Sequence, residues 1–119
     1  VTDNSTTREP DVSTTQRHSY MAALSLAETL LSETTALPTD FIVSAADWEP
    51  GAPSIRFYFH DTPGLVREFA AQFSLEVAVR PAGSGGEYTE ASGFRDGVRV
   101  RAWALLSAEQ VAERTAVTS

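Results

Sequence analysis

The chain has 119 residues, 42% of them hydrophobic and 21% charged, a mix that suits one globular domain and excludes both wholesale disorder and a large multidomain enzyme. Nine basic residues, all arginine, face sixteen acidic ones for a net charge of −7, which favours solubility and opposes non-specific phosphate binding. Cysteine is absent, so disulfides, thiolate catalysis and Cys-based metal centres are excluded, and no apolar run reaches the ~18 residues of a membrane span.

Residues 1–18, VTDNSTTREPDVSTTQRH, have seven Ser or Thr and only Val1 and Val12 as aliphatics. Such a stretch buries too little surface to offset its ordering entropy, so it is expected to be a disordered polar tail. It lacks the apolar segment of a secretory signal and holds acids that a transit peptide avoids, which points to the bacterial cytoplasm. A single domain over 19–115 should follow, with 116–119 frayed.

Ser19 to about Thr34 reads as a helix. Tyr20, Leu24, Ala27 and Leu31 form its apolar stripe, flanked by Ala23 and Leu30. Leu37-Pro38-Thr39 ends it. Phe41–Trp48 reads as a strand with Phe41, Val43 and Ala45 on one face, followed by the turn cluster 49–53. Ser54–His60 alternates cleanly, with Ile55, Phe57 and Phe59 inward and Arg56, Tyr58 and His60 outward. Thr62-Pro63 opens a second helix, with Thr62 as a cap and Leu65, Phe69 and Phe73 as the stripe beside Val66 and Ala70.

Leu75–Arg80 is the next strand, with Leu75, Val77 and Val79 inward; if it neighbours the preceding strand, the two should be parallel. Residues 81–86 read as a flexible loop. Glu87–Arg95 and Val98–Leu105 form a hairpin closed by Asp96-Gly97, a pair preferred in two-residue type I′ turns. Ser107 and Gln110 resemble a capping box, opening a short helix over Ala108–Arg114. The order α-β-β-α-β-β-β-α gives an α+β two-layer sandwich: a mixed, mostly antiparallel five-stranded sheet with helices on one face.

The turn sets the hairpin register. Arg95, Gly93, Ala91 and Thr89 face Val98, Val100, Ala102 and Ala104 on one side. Phe94, Ser92, Glu90 and Tyr88 face Arg99, Arg101, Trp103 and Leu105 on the other. The first side is small enough for helices to pack closely. The second, joined by Arg56, Tyr58, His60, Glu76 and Arg80, would be an open face of arginines and rings. The candidate binding residues are therefore Arg56, Tyr58, His60, Arg80, Tyr88, Glu90, Arg99, Arg101 and Trp103.

Such a face fits a protein interface, where aromatics and Arg are enriched. It also fits single-stranded nucleic acid, though the net charge opposes that reading and no RNA-module consensus is present. A plain solvated face with cross-strand ion pairs is the simplest alternative. His60-Asp61 looks catalytic, but it lacks a nucleophile and an orienting third group, so no catalytic residue is assigned and a small enzyme centred on His60 stands as a further alternative. One His outside the tail with scattered carboxylates is a poor metal-ligand set. Gly83-Ser84-Gly85-Gly86 lacks the Lys and following helix of a phosphate loop. Neither metal nor cofactor is expected, and no membrane association.

Lysine is absent, Asn4 is the lone asparagine, and Ile42 and Ile55 are the only isoleucines. These residues have AT-rich codons, so a high-GC genome is expected, with Val1 a literally translated GTG start. The runs Phe57-Tyr58-Phe59-His60-Asp61, Val66-Arg67-Glu68-Phe69-Ala70, Tyr88-Thr89-Glu90-Ala91-Ser92-Gly93 and Asp96 through Trp103 are similar to small uncharacterised proteins of Streptomyces-like actinobacteria and their mobile elements, over roughly 19–106. That resemblance implies a cytoplasmic accessory protein, phage- or plasmid-linked, and carries no site. The expected role is a non-enzymatic binding module that contacts a protein partner or forms a homodimer through the open face.

Overall fold

The structure, a computed structural model, describes residues 11–118. Its elements run α1 (Val12–Glu33), β1 (Asp40–Ser44), β2 (Ser54–Tyr58), α2 (Pro63–Phe73), β3 (Glu76–Ala82), β4 (Gly86–Arg95), β5 (Val98–Leu106) and α3 (Ala108–Thr118). The fold is α+β, and the expected element order holds. The five strands form one mixed sheet in the order β1-β2-β5-β4-β3.

The parallel contact lies elsewhere than the sequence suggested. β2 and β3 are not neighbours; β2 pairs in parallel with β5, and all other pairs are antiparallel. The chain leaves β2, crosses through α2 to the far edge, and returns by the β3-β4-β5 meander. Local pattern identifies strands, but it does not order them when a crossover skips two positions.

α1 begins at Val12, seven residues before the expected Ser19. Asp11 caps it, its carboxylate accepting from the Thr14 amide at 2.8 Å. That bond and the neighbouring hydroxyls hold the Asp11 carboxyl below its ordinary range. The expected tail therefore loses residues 11–18 to the helix and its cap, and its first ten residues lie outside the described ones. The buried stripe is also rotated. Ser19, Ala23, Leu26, Ala27 and Leu30 face the core, while Tyr20 and Leu24 are exposed. Polar anchors explain the rotation. Gln16 Nε2 donates to the Ala45 carbonyl at 2.6 Å and the Ser19 hydroxyl donates to the Pro50 carbonyl, which ties the front of the helix to the β1–β2 connection.

β1 is shorter than expected, ending at Ser44, and Trp48 sits in the following turn, 85% exposed. β2 delivers Ile55 and Phe57, with Phe59 just beyond it, all fully buried. α2 begins at Pro63 as expected, but Thr62 makes no side-chain cap; its hydroxyl donates to the His60 carbonyl instead. Arg95 supplies the C-terminal partner, donating to the Phe73 carbonyl at 3.1 Å. β3 runs on through Pro81 to Ala82, so the expected six-residue loop shrinks to the hairpin turn 83–85. Pro81 is tolerated because β3 is an edge strand. Val79 lies 43% exposed at that edge, despite its inward parity.

Asp96 and Gly97 both have positive φ, 52° and 79°, as the two-residue turn requires, and every expected β4–β5 pairing is present. The capping box is present too: Ser107 and Gln110 exchange bonds of 2.8 and 3.1 Å. α3 continues to Thr118, past the expected end at Arg114 and through residues expected to fray. Glu87 on β4 pairs with Arg114 at 2.8 Å and holds it there.

The core lies between the helices and one sheet face. Ala23, Leu30, Val66, Phe69 and Phe73 from α1 and α2 pack on Ile55, Phe57, Ala91, Val98, Val100, Ala102 and Ala104. Among the described residues no helix is long and apolar enough to cross a membrane.

Candidate functional site

Period-2 alternation sends the remaining strand residues to the sheet's other face. On β2 these are Arg56 and Tyr58; on β5, Arg99, Arg101, Trp103 and Leu105; on β4, Tyr88, Glu90, Ser92 and Phe94; on β3, Glu76 and Arg80. No described helix covers this layer. All nine candidate residues lie on it or, for His60, at its end.

At its centre is a ring cluster. Tyr58 and Trp103 are register partners with ring centroids 4.6 Å apart, and Tyr88 stacks on the other side of Trp103 at 5.8 Å. The Arg80 guanidinium lies over Tyr88, 4.4 Å from the ring centre, and reaches Glu90 at 3.9 Å. The Tyr88 hydroxyl donates to Glu90 at 3.2 Å. Partial burial, and then the Glu90 charge, push the Tyr88 phenol above its ordinary range. Trp103 is half-buried among these neighbours rather than under the helices, so the two sheet faces are assigned as expected.

His60 marks one end. Its side chain is 65% exposed, and both ring nitrogens are engaged: Nδ1 lies 2.7 Å from the Tyr58 hydroxyl and Nε2 3.2 Å from Asp61. Tyr58 is thus the third group that the sequence did not supply. Asp61 is held at positive φ, 55°, directly before the cap of α2. The resulting phenol–imidazole–carboxylate chain can hold and pass a proton. It sits on open surface, with the His60 side chain 65% exposed.

The other end is different. Arg56 and Arg101 are direct register partners on the parallel β2–β5 pair, and Arg99 follows two residues earlier on β5. Arg99 leans over the Phe94 ring at 4.8 Å. Together they line a concavity of about 470 Å³, walled also by Ser44, Glu49 and the 50s loop. The sequence named these arginines and paired Phe94 with Arg99, but it missed Ser44, Glu49 and the exposed Ile42. Those come from β1 and its connection, and only sheet order reveals them, with Ile42 the register partner of Arg56.

No protein-family model matches this chain, and no curated protein and no solved structure matches it.

Proposed function

We propose that this chain is a small, non-enzymatic cytoplasmic binding module, and that it contacts a protein partner or a second copy of itself through the helix-free face of its sheet. One observation carries this reading. Three rings, Tyr58, Trp103 and Tyr88, lie side by side on an uncovered sheet, braced by Arg80 and Glu90. A surface needing only solubility gains nothing from a Trp there. Protein interfaces are enriched in Trp, Tyr and Arg because rigid rings desolvate well at small entropic cost.

The test is association measured by solution mass and by partner binding, in the native chain and in Trp103→Glu. The variant should stay folded and lose association by about tenfold or more, the equivalent of ~1.4 kcal/mol. Unfolding of the variant would show that the face belongs to the core. Unchanged association would remove the rings from the interface.

A second reading, single-stranded nucleic acid, draws on the same rings and on arginines that lack carboxylate partners among the described residues. It expects micromolar, steeply salt-dependent binding to single-stranded DNA or RNA, lost in Arg99→Glu. The −7 charge of the chain favours the protein reading, which expects no such binding at about 0.15 M salt.

A further inference from the structure

The arginine end of the open face poses a problem of its own. Arg56 and Arg101 stand opposite each other on adjacent strands, about 4.8 Å apart at the backbone. Here none of Arg56, Arg99 and Arg101 has an ion pair among the described residues. By contrast Arg80, on the same face, reaches Glu90, and Arg114 reaches Glu87. In a chain with sixteen acids, three arginines converging without an ion pair among the described residues is a local departure from the overall charge. They converge on space: all three line the concavity of about 470 Å³, a volume in the range of small-molecule sites.

We infer that this concavity is a binding site for a small organic phosphate, with the phosphate held by Arg56 and Arg101 and the organic part resting against Phe94 and Arg99. Guanidinium forks match phosphate oxygens in pairs, and two forks side by side supply the charge that a phosphomonoester dianion neutralises. The register fixes both on rigid strands, so little ordering is needed on binding. Phe94 is 68% exposed and forms an apolar wall next to the charge, which a bare inorganic ion leaves unused. Ser44 adds a hydroxyl to the lining. Glu49 also lines the concavity, makes no ion pair among the described residues, and would repel an anion placed on its side. The phosphate is therefore seated toward the sheet, away from the 50s loop. This site does not depend on the docking surface proposed above, whose rings occupy the middle of the face.

The experiment is calorimetric titration of the full chain with phenyl phosphate, inorganic phosphate and benzoate, at an ionic strength of about 0.02 M so that screening is weak. Phenyl phosphate should bind, and more tightly than inorganic phosphate, while benzoate should bind at least about tenfold more weakly than the ester. Arg56→Gln and Arg101→Gln should each weaken the ester about tenfold or more, while Arg67→Gln, on the exposed side of α2, leaves it unchanged. Each variant is checked by circular dichroism, and the first two should melt higher than the native chain when ligand-free, because one member of a like-charged pair is gone. Absence of ester binding would overturn the proposal. So would inorganic phosphate binding as tightly as the ester, benzoate binding equally, or an equal loss in Arg67→Gln.

Discussion

The two faces of this sheet are built from the same strands, one residue out of step, and they follow different rules. The covered face is Ile55, Phe57, Ala91, Val98, Val100, Ala102 and Ala104, all at or near zero exposure. Aliphatic size alternates there with the rings of α2, and any residue that filled the space and stayed apolar would serve. The open face is Arg56, Tyr58, Tyr88, Phe94, Arg99, Arg101 and Trp103, which burial does not demand. Folding accounts for the first set. The second set is the one on which the proposed binding role rests, since burial does not demand a Trp or a row of arginines there.

The sharpest way to break this comparison is to cut neighbouring residues on one strand. Phe57→Ala empties a site in contact with Phe69, at 5.0 Å between ring centres, and should cost about 3–5 kcal/mol. Tyr58→Ala, one residue on, removes only its contacts to Trp103 and His60 and should cost about 1 kcal/mol. Chemical denaturation of the two variants measures the difference. Equal losses would mean that the open face is a second core, and the binding reading would fall with it.

A smaller effect tests what sets the faces apart in the first place. Gly97 has φ of +79°, a region costly for any residue with a Cβ, and Asp96 beside it is already at +52°. Gly97→Ala should therefore cost about 1–2 kcal/mol, although a Cβ there would meet nothing within reach. A loss of that size with unchanged spectra at Trp103 would show strain in an intact register. A shifted Trp103 environment would show slippage, because a one-residue slip moves every β4–β5 side chain to the other face.

That turn also explains how much of the molecule was legible. Asp96-Gly97 set the pairing of all nine residues from Glu87 to Arg95 with their partners, and the composition of the open face followed from it. The capping box at Ser107 and the apolar stripe of α2 were equally local, and they held. What was not legible depends on distant partners. The rotation of α1 is decided by Gln16 and Ser19 reaching carbonyls about thirty residues away. The start of α1 was hidden because Val12 to His18 is polar, and a helix there takes its support from the Asp11 cap and those anchors. Strand order was hidden by the crossover. With it went the juxtaposition of Arg56 and Arg101, which the hairpin register alone cannot supply because the two belong to different hairpins.

The finest comparison is between adjacent residues on β4 that titrate in opposite senses. Glu87 points to the covered side, where its bonds to Arg114 hold its carboxyl below 4.5. A depressed carboxyl contributes stability that is present above its unfolded value and lost as pH falls through the folded one. Tyr88 points to the open side, and its phenol is pushed above 10.0 by partial burial first and by Glu90 second. A raised phenol contributes stability that is present below its unfolded value and lost as pH climbs through the folded one. The melting temperature should thus fall on both flanks, from two residues that share a peptide bond. Glu87→Gln should make the acid flank shallower, leaving the share of the Asp11 cap, and leave the alkaline one, while Tyr88→Phe should act on the alkaline flank alone. Both effects are small, since Glu87 and Arg114 remain partly in water and screening weakens such pairs. Melting curves across the pH range, repeated in high salt, separate them: salt should erode the Glu87 contribution and leave most of the Tyr88 one, because desolvation, unlike a surface ion pair, is not screened. If both flanks respond alike to salt, burial is not what raises the phenol, and Tyr88 is wetter than its place against Trp103 implies.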